Sequence, residues 1–250
     1  MKISATNDIT DAGALTVPLD ADSGQDINDI TTADFSTAYT SDGTSATFTI
    51  DKVFTSGVSC RYVAFAGHNF SDIGCSVVVK VNTVTKATIN FYTTDSNWVT
   101  MVTFDQVAST TNVQIIVTKT STDRATISYL AIGDTLDSTF TFPEQNVAPA
   151  GFPINWRTRS SEIRSVINDA GQPVANIRQS MARKTTLSLK NIAQTVISSA
   201  LWLKFLGLAY TEGAFFYKDD DGTVIADEPK AGVMAFNGDV MPPKLHSSTR

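Results

Sequence analysis

Reactive and metal-binding side chains are scarce in this chain, whose 250 residues include two histidines and two cysteines. Nucleophilic hydrolysis needs a histidine to move a proton, and only His68 and His246 are present. His68 follows a strand in Gly67-His68-Asn69-Phe70, where a loop histidine is usually solvated, and His246 lies in a proline-flanked tail. The sequence has no G-x-S-x-G elbow. Cys60 and Cys75 lack a metal-type spacing, so small buried strand residues are preferred over a disulfide or a reactive thiol. The opening MKISATNDITDAG has no apolar run of the export-signal kind. The longest apolar stretch, around Ala200 to Tyr210, is broken by Lys204 and too short to cross a bilayer. These absences lead us to expect a soluble protein made in a cytoplasm, with no catalytic site, no metal, no cofactor and no membrane insertion.

Charge is unevenly spread. Residues 1–135 carry seven Lys/Arg against fourteen Asp, whereas residues 136–250 carry twelve Lys/Arg against eleven Asp/Glu. The overall charge of −6 disfavours wholesale binding to nucleic acid. A local exception is the run of Arg157, Arg159, Arg164, Arg178, Arg183 and Lys184 against Glu162 and Asp169. It could meet a phosphate backbone. Without interleaved aromatics beyond Trp156, it reads better as a contact to an acidic neighbour, including another copy of the same chain.

Strand patterning is strong from residue 46 onward. Thr47–Ile50, Arg61–Ala66, Ser76–Val81, Ala87–Tyr92, Trp98–Phe104, Asn112–Thr118 and Ala125–Ile132 are β-branched or aromatic segments divided by turn residues. Such short strands at regular spacing predict an antiparallel sandwich. Residues 1–45 read as an extended lead with weak strands at Ala14–Leu19 and Ile27–Ile30. The predicted architecture is mainly β, with a sandwich over 1–135, a proline-containing linker over 136–155 and a β-rich domain over 156–250.

In that second domain, Ile154–Ile167 and Val174–Met181 flank a turn at Asn168–Gly171, and Lys184–Lys190 is a third strand. One helix is predicted near 192–206, capped by Asn191 and stopped by Gly207, with Ile192, Val196, Ala200 and Leu203 on one stripe. Ala214–Tyr217 and Thr223–Ala226 suggest a hairpin around Asp219-Asp220-Asp221-Gly222, followed by a last strand at Gly232–Phe236 and an extended tail. Aligning Gly222 with the sixth position of a calcium loop puts Asp219, Asp221 and Glu228 at ligand positions. Tyr217 then occupies the first position, where a carboxylate belongs. Asp-Gly at a hairpin tip has its own reason, so the turn reading is preferred.

The loop rim of a sandwich is a common place to hold sugar. His68, Asn69, Asp72 and Trp98, with Tyr92, are the candidate stacking and polar contacts, although strand aromatics are more often core. A glycosidase would need two carboxylates across one cleft, and the acids here cluster in turns.

Residues 46–134 resemble the galactose-binding-like (discoidin-type) jelly roll. The likeness lies in Tyr62-Val63-Ala64-Phe65-Ala66-Gly67-His68-Asn69, in Val113–Val117 and in Ile127-Ser128-Tyr129-Leu130-Ala131-Ile132-Gly133. The second half, with Thr185-Thr186-Leu187-Ser188-Leu189, a helix and Phe215-Phe216-Tyr217, is similar to domains of bacteriophage tail and tail-tip proteins. The resemblance implies a tail-tip or baseplate component located in the virion. Its partners would be other particle proteins and copies of itself, in a symmetric oligomer. The alternatives are a carbohydrate-binding module for host surface glycans and a capsid decoration protein.

Overall fold

The computed structural model describes residues 2–17, 26–33, 36–92, 99–136, 159–167, 173–183, 198–211, 214–218 and 231–235. In chain order the strands before the helix are β1 (Lys2–Ser4), β2 (Leu15–Thr16), β3 (Tyr39–Thr40), β4 (Thr47–Ala66), β5 (Ser76–Val81), β6 (Val84–Asn90), β7 (Val99–Thr118), β8 (Thr126–Ile127), β9 (Tyr129–Gly133), β10 (Thr135–Leu136), β11 (Arg159–Ile167) and β12 (Pro173–Arg183). Helix α1 (Ala200–Thr211) precedes β13 (Ala214–Lys218) and β14 (Ala231–Ala235). The chain divides into two compact units. One holds 1–138, 194–220 and 229–250, and the other holds 139–193 and 221–228.

The protein is mainly β and antiparallel, as the alternation predicts, but four of the expected strands are fused into two. Thr47–Ile50 and Arg61–Ala66 are the ends of the 20-residue β4, and the residues on either side of 105–111 are the ends of the 20-residue β7. These two strands pair along their whole length, with register shifts between Val53 and Tyr62 where the ladder bends. Extra residues of this kind turn a strand without ending its pairing. Before the bend, β4 lies between β2 and β7, and β7 passes to β5 and then β6; after it, β4 lies between β7 and β9.

Asn82 holds the bend. It sits with Thr83 at positive φ in the tight β5–β6 turn. Its side-chain oxygen accepts from the Thr111 and Asn112 N–H groups at 2.8 and 3.2 Å, and its amide donates to the Ser109 carbonyl at 2.8 Å.

The two halves of the bent sheet bury different amounts of surface. In β5 burial alternates, with Val77, Val79 and Val81 inward, as for a sheet with one wet face. In the second half, Tyr62–Ala66 and all of β9 are buried on both faces. One face, with Val63, Phe65, Val102, Leu130 and Ile132, joins the main core beside Phe48, Ile50 and Ile115. The other face, with Tyr62, Ala64, Ala66, Met101 and Tyr129, forms a second core closed by Phe216. A small sheet in the order β10-β1-β13-β14 supplies that closure. There Tyr129 stacks on Phe216 at 5.2 Å, and Ser4 Oγ accepts the Phe216 N–H at 2.8 Å.

This pairing cuts across the expected boundary at 136–155. Residues 194–220 and 229–250 belong with the sandwich, because β13 pairs with β1 and Phe216 fills the second core. β13 has a partner on each side, β1 on one and a second strand on the other. Its described partner on that side is β14, with Phe215 opposite Met234, while the expected partner Thr223–Ala226 lies outside the described residues. β11 and β12 form the expected hairpin in the second unit.

Helix α1 begins at Ala200, with Ser199 Oγ accepting the Trp202 N–H at 3.2 Å, and it runs through the expected stop at Gly207. Trp202, Phe205 and Leu208 are its buried residues, while Ala200 and Leu203 of the predicted stripe are exposed. Asn191, Ile192 and Val196 lie outside the described residues, as do Lys184–Lys190 and Asp219–Gly222.

The N-terminal segment crosses β9 so closely that a Cβ on Gly133 would stand 2.3 Å from Thr6 Oγ1 and 2.6 Å from the Thr6 carbonyl oxygen. Gly133→Ala is therefore expected to destabilise the protein by about 1–3 kcal/mol through forced displacement of residues 5–7. Thermal or urea unfolding checks this; an unchanged midpoint would show that the segment gives way freely.

Candidate functional site

At one end of the sandwich the segments 41–46, 67–75, 91–92 and 119–126 come together as a loop cluster. Their own polar groups hold them. Lys119 is buried and donates from Nζ to the Asp42 carbonyl at 2.7 Å, while Ser41 Oγ accepts the Ala125 N–H at 3.0 Å. The Asp42 carboxylate accepts the Thr44 and Ser45 N–H groups at 3.1 and 2.8 Å, closing its own turn. The Asn69 amide donates to the Arg124 carbonyl at 2.9 Å and accepts the Thr126 N–H at 2.9 Å. Thr120 Oγ1 donates to the Ile73 carbonyl at 2.9 Å. Gly74, at φ +63°, turns the chain back into β5.

The expected sugar contacts are distributed differently by this architecture. His68 is 5% exposed and stands inside the core, stacked on Phe70 at 4.8 Å with Phe65 and Phe91 edge-on at 5.1 and 5.3 Å. Its Nε2 lies 3.1 Å from Thr100 Oγ1. Burial pushes the imidazole down to about 3, so it is neutral at physiological pH and is no solvated loop residue. Asn69 is committed to the 124–126 backbone. Asp72 is exposed, and Trp98 lies outside the described residues. Tyr92 is 63% exposed where the chain leaves β6, next to Phe91, whose N–H donates to the Cys75 carbonyl at 2.8 Å. The cluster thus includes an exposed aromatic ring, an exposed carboxylate at Asp72 and hydroxyl-bearing turns. What it can do chemically is stack and hydrogen-bond. Of the six basic residues expected at an interface, Arg159, Arg164, Arg178 and Arg183 lie on β11 and β12, whereas Arg157 and Lys184 lie outside the described residues.

A second concavity, of about 200 Å³, lies where the N-terminal segment meets the bend and α1. Thr6, Asp8, Asp11, Ser59, Asp134 and Lys204 are among its lining residues. Sequence reasoning missed this gathering of three carboxylates, because Asp8, Asp134 and Lys204 are far apart in the chain. Asp134 is structurally engaged: it accepts from Ser59 Oγ at 2.9 Å and from the Thr135 N–H at 2.9 Å, and pairs with Arg61 at 3.1 Å. Asp8 accepts from Thr6 Oγ1 at 3.0 Å. Burial is the main cause that raises the Asp8 carboxyl to about 6; Asp11 and Asp134 add to the rise, while Thr6 and Lys204 oppose it. Among the described residues no group of three or more His, Cys, Asp or Glu is arranged to hold a metal ion. Cys60 and Cys75 are buried and unbridged, and burial raises both thiols, to about 12 and about 11. They are therefore poor nucleophiles. No helix among the described residues is long and apolar enough to cross a membrane.

No known protein family matches the sequence, and no curated protein matches it. Among solved structures, the CBM32 module of AlyQ in complex with 4,5-unsaturated mannuronic acid is 16% identical. That match covers 53% of this chain and 97% of the module, with a TM-score of 0.39. Chitosan-binding module 1 of a chitosanase/glucanase from Paenibacillus sp. IK-5 is 12% identical over 51% of this chain and 98% of its own, with a TM-score of 0.41. A pectin-binding carbohydrate-binding module is 14% identical over 52% and 93%, with a TM-score of 0.39. The β-sandwich itself rests on the strand pairing described above.

Two titrations of opposite sense follow, one of the buried His68 and one of the half-buried Asp8. His68 is held neutral by the fold, so its contribution is intact above about 6.5 and is lost as pH falls toward 3. Asp8 keeps its proton up to about 6 in the fold, so its contribution is present below about 3.8 and is lost as pH rises through about 6. Asp8→Asn is expected to raise the melting temperature at pH 7 by about 2 °C or more and to leave it unchanged near pH 4. His68→Phe should move acid unfolding to lower pH. Melting curves from pH 3 to 8 check both; parallel curves for variant and parent would refute the assignments.

Proposed function

We propose that the chain is a non-catalytic recognition protein whose sandwich binds a glycan at the loop cluster. The observation that carries this reading is Tyr92. A phenol ring that is largely outside the core, on a segment tied to the cluster by the Phe91 N–H to Cys75 carbonyl bond, is suited to stack on the apolar face of a sugar ring. Asp72 and the turn hydroxyls lie on the same loop cluster and can take hydroxyl hydrogen bonds. A rigid frame of this kind limits the entropy lost on binding. The neutral, enclosed His68 supports a binding role over a hydrolytic one.

A glycan array followed by calorimetry on the best ligand tests the proposal. Tyr92→Ala is expected to weaken binding about tenfold, equivalent to about 1.4 kcal/mol, with a smaller loss for Asp72→Ala. His68→Phe should bind like the parent. Absence of any glycan ligand, or full affinity in Tyr92→Ala, would sink the reading.

A second reading keeps the chain as a component of a phage particle, at a tail tip or baseplate. The β11–β12 hairpin favours it, since a two-stranded ribbon is marginal alone in water and suits contact with neighbours. Mass spectrometry of purified particles containing the chain is expected to recover it in stoichiometric amounts. Failure to co-purify with any particle protein removes this reading.

A further inference from the structure

The hairpin also poses a specific electrostatic problem. Among the described residues, neither β11 nor β12 pairs with a third strand. The register sets Arg159 directly opposite Arg183 and Arg178 opposite Ile163. Counted along β11 with its period of two, positions 159 and 163 fall on the same face, so Arg159, Arg178 and Arg183 share it. Like charges in direct register weaken a ladder. A face of this kind is stabilised by an anionic counterpart.

The sandwich supplies a surface of that sign, and the structure makes it more acidic than composition suggests. Seven basic residues face fourteen Asp over 1–135. Two of the seven, Lys52 and Lys119, are buried with their ammonium groups on the Asp11 and Asp42 carbonyls. Arg61 pairs with Asp134. Meanwhile Asp11, Asp26 and Asp29, on the N-terminal segment, are exposed. The short 3-10 helix Ile27–Thr31 that follows Asp26 has no basic residue in its last turn.

We infer that the β11–β12 hairpin is an assembly arm whose Arg159, Arg178 and Arg183 face docks on the acidic N-terminal segment, at Asp11, Asp26 and Asp29, of a second copy of this chain. The contact is electrostatic, so it forms at low ionic strength and dissolves as the screening length falls from about 10 Å at 0.1 M to about 3 Å at 1 M salt. It is independent of the glycan reading, because it uses neither Tyr92 nor the loop cluster.

Sedimentation velocity and native mass spectrometry of the full chain test it across that salt range. The parent should associate at low salt and become monomeric at high salt. Arg159→Glu/Arg178→Glu/Arg183→Glu should be monomeric throughout, and the same sites changed to Lys should still associate. Adding Asp11→Lys/Asp26→Lys/Asp29→Lys to the Glu variant should restore association. Circular dichroism and the melting temperature establish that each variant is folded. A parent chain that stays monomeric at low salt overturns the inference. So does association that survives charge reversal in a folded variant. Salt-sensitive binding of a duplex oligonucleotide by a chain that does not self-associate also overturns it, and would assign the arginines to phosphate.

Discussion

Burial of Tyr62–Ala66 on both faces is the constraint on which the sandwich unit depends. A sheet with one wet face can stop at a single core, but a strand that is apolar on both sides requires two covers. Val63 and Phe65 are covered by the opposite half of the bent sheet, while Tyr62, Ala64 and Ala66 are covered by β1, β13 and Phe216. Each fully buried large side chain contributes about 1.5–3 kcal/mol of transfer free energy. The second core is therefore comparable to the whole margin by which a domain of this size stays folded. That explains why the N-terminal segment is bonded at so many points. Tyr62 donates its hydroxyl hydrogen to the Thr6 carbonyl, Thr6 Oγ1 accepts the Asp134 N–H, and Lys52 Nζ donates to the Asp11 carbonyl.

Much of the sandwich was legible in the sequence, since period-two alternation reports directly which strand face is wet. The segments Ser76–Val81 and Asn112–Thr118 fall almost where the pattern puts them. The fusion of the segments was not legible. Lys52 is a charge at an inward position and reads as the end of a strand, yet its ammonium has the Asp11 carbonyl and stands 5.2 Å from the centre of the Phe54 ring. Ser59 and Gln106 look like loop residues but bond one another across the bend at 2.8 Å.

The candidate site was less legible, for a related reason. Gly67 and Asn69 make His68 look like part of a wet loop, and the aromatic enclosure that buries it comes partly from Phe91, more than twenty positions away. Asn69 carries the polarity of a ligand contact and uses it to fasten the 124–126 backbone. Tyr92 was grouped with His68, which is interior, and only its exposure separates the two rings. The acidic concavity around Asp8 had no sequence signal, because helix α1 and the N-terminal segment approach it from opposite ends of the chain.

The hydrogen bond from the Phe216 N–H to Ser4 Oγ spans 212 positions. During synthesis, β1 leaves the ribosome well before β13 and then waits for it. At about 5–20 residues per second, that interval is tens of seconds. Once β9 has emerged, Tyr62, Ala64, Ala66 and Tyr129 have their sheet but stay uncovered until β13 follows. The nascent chain therefore carries a sticky apolar face until β13 is made, and a copy released before that point would keep it.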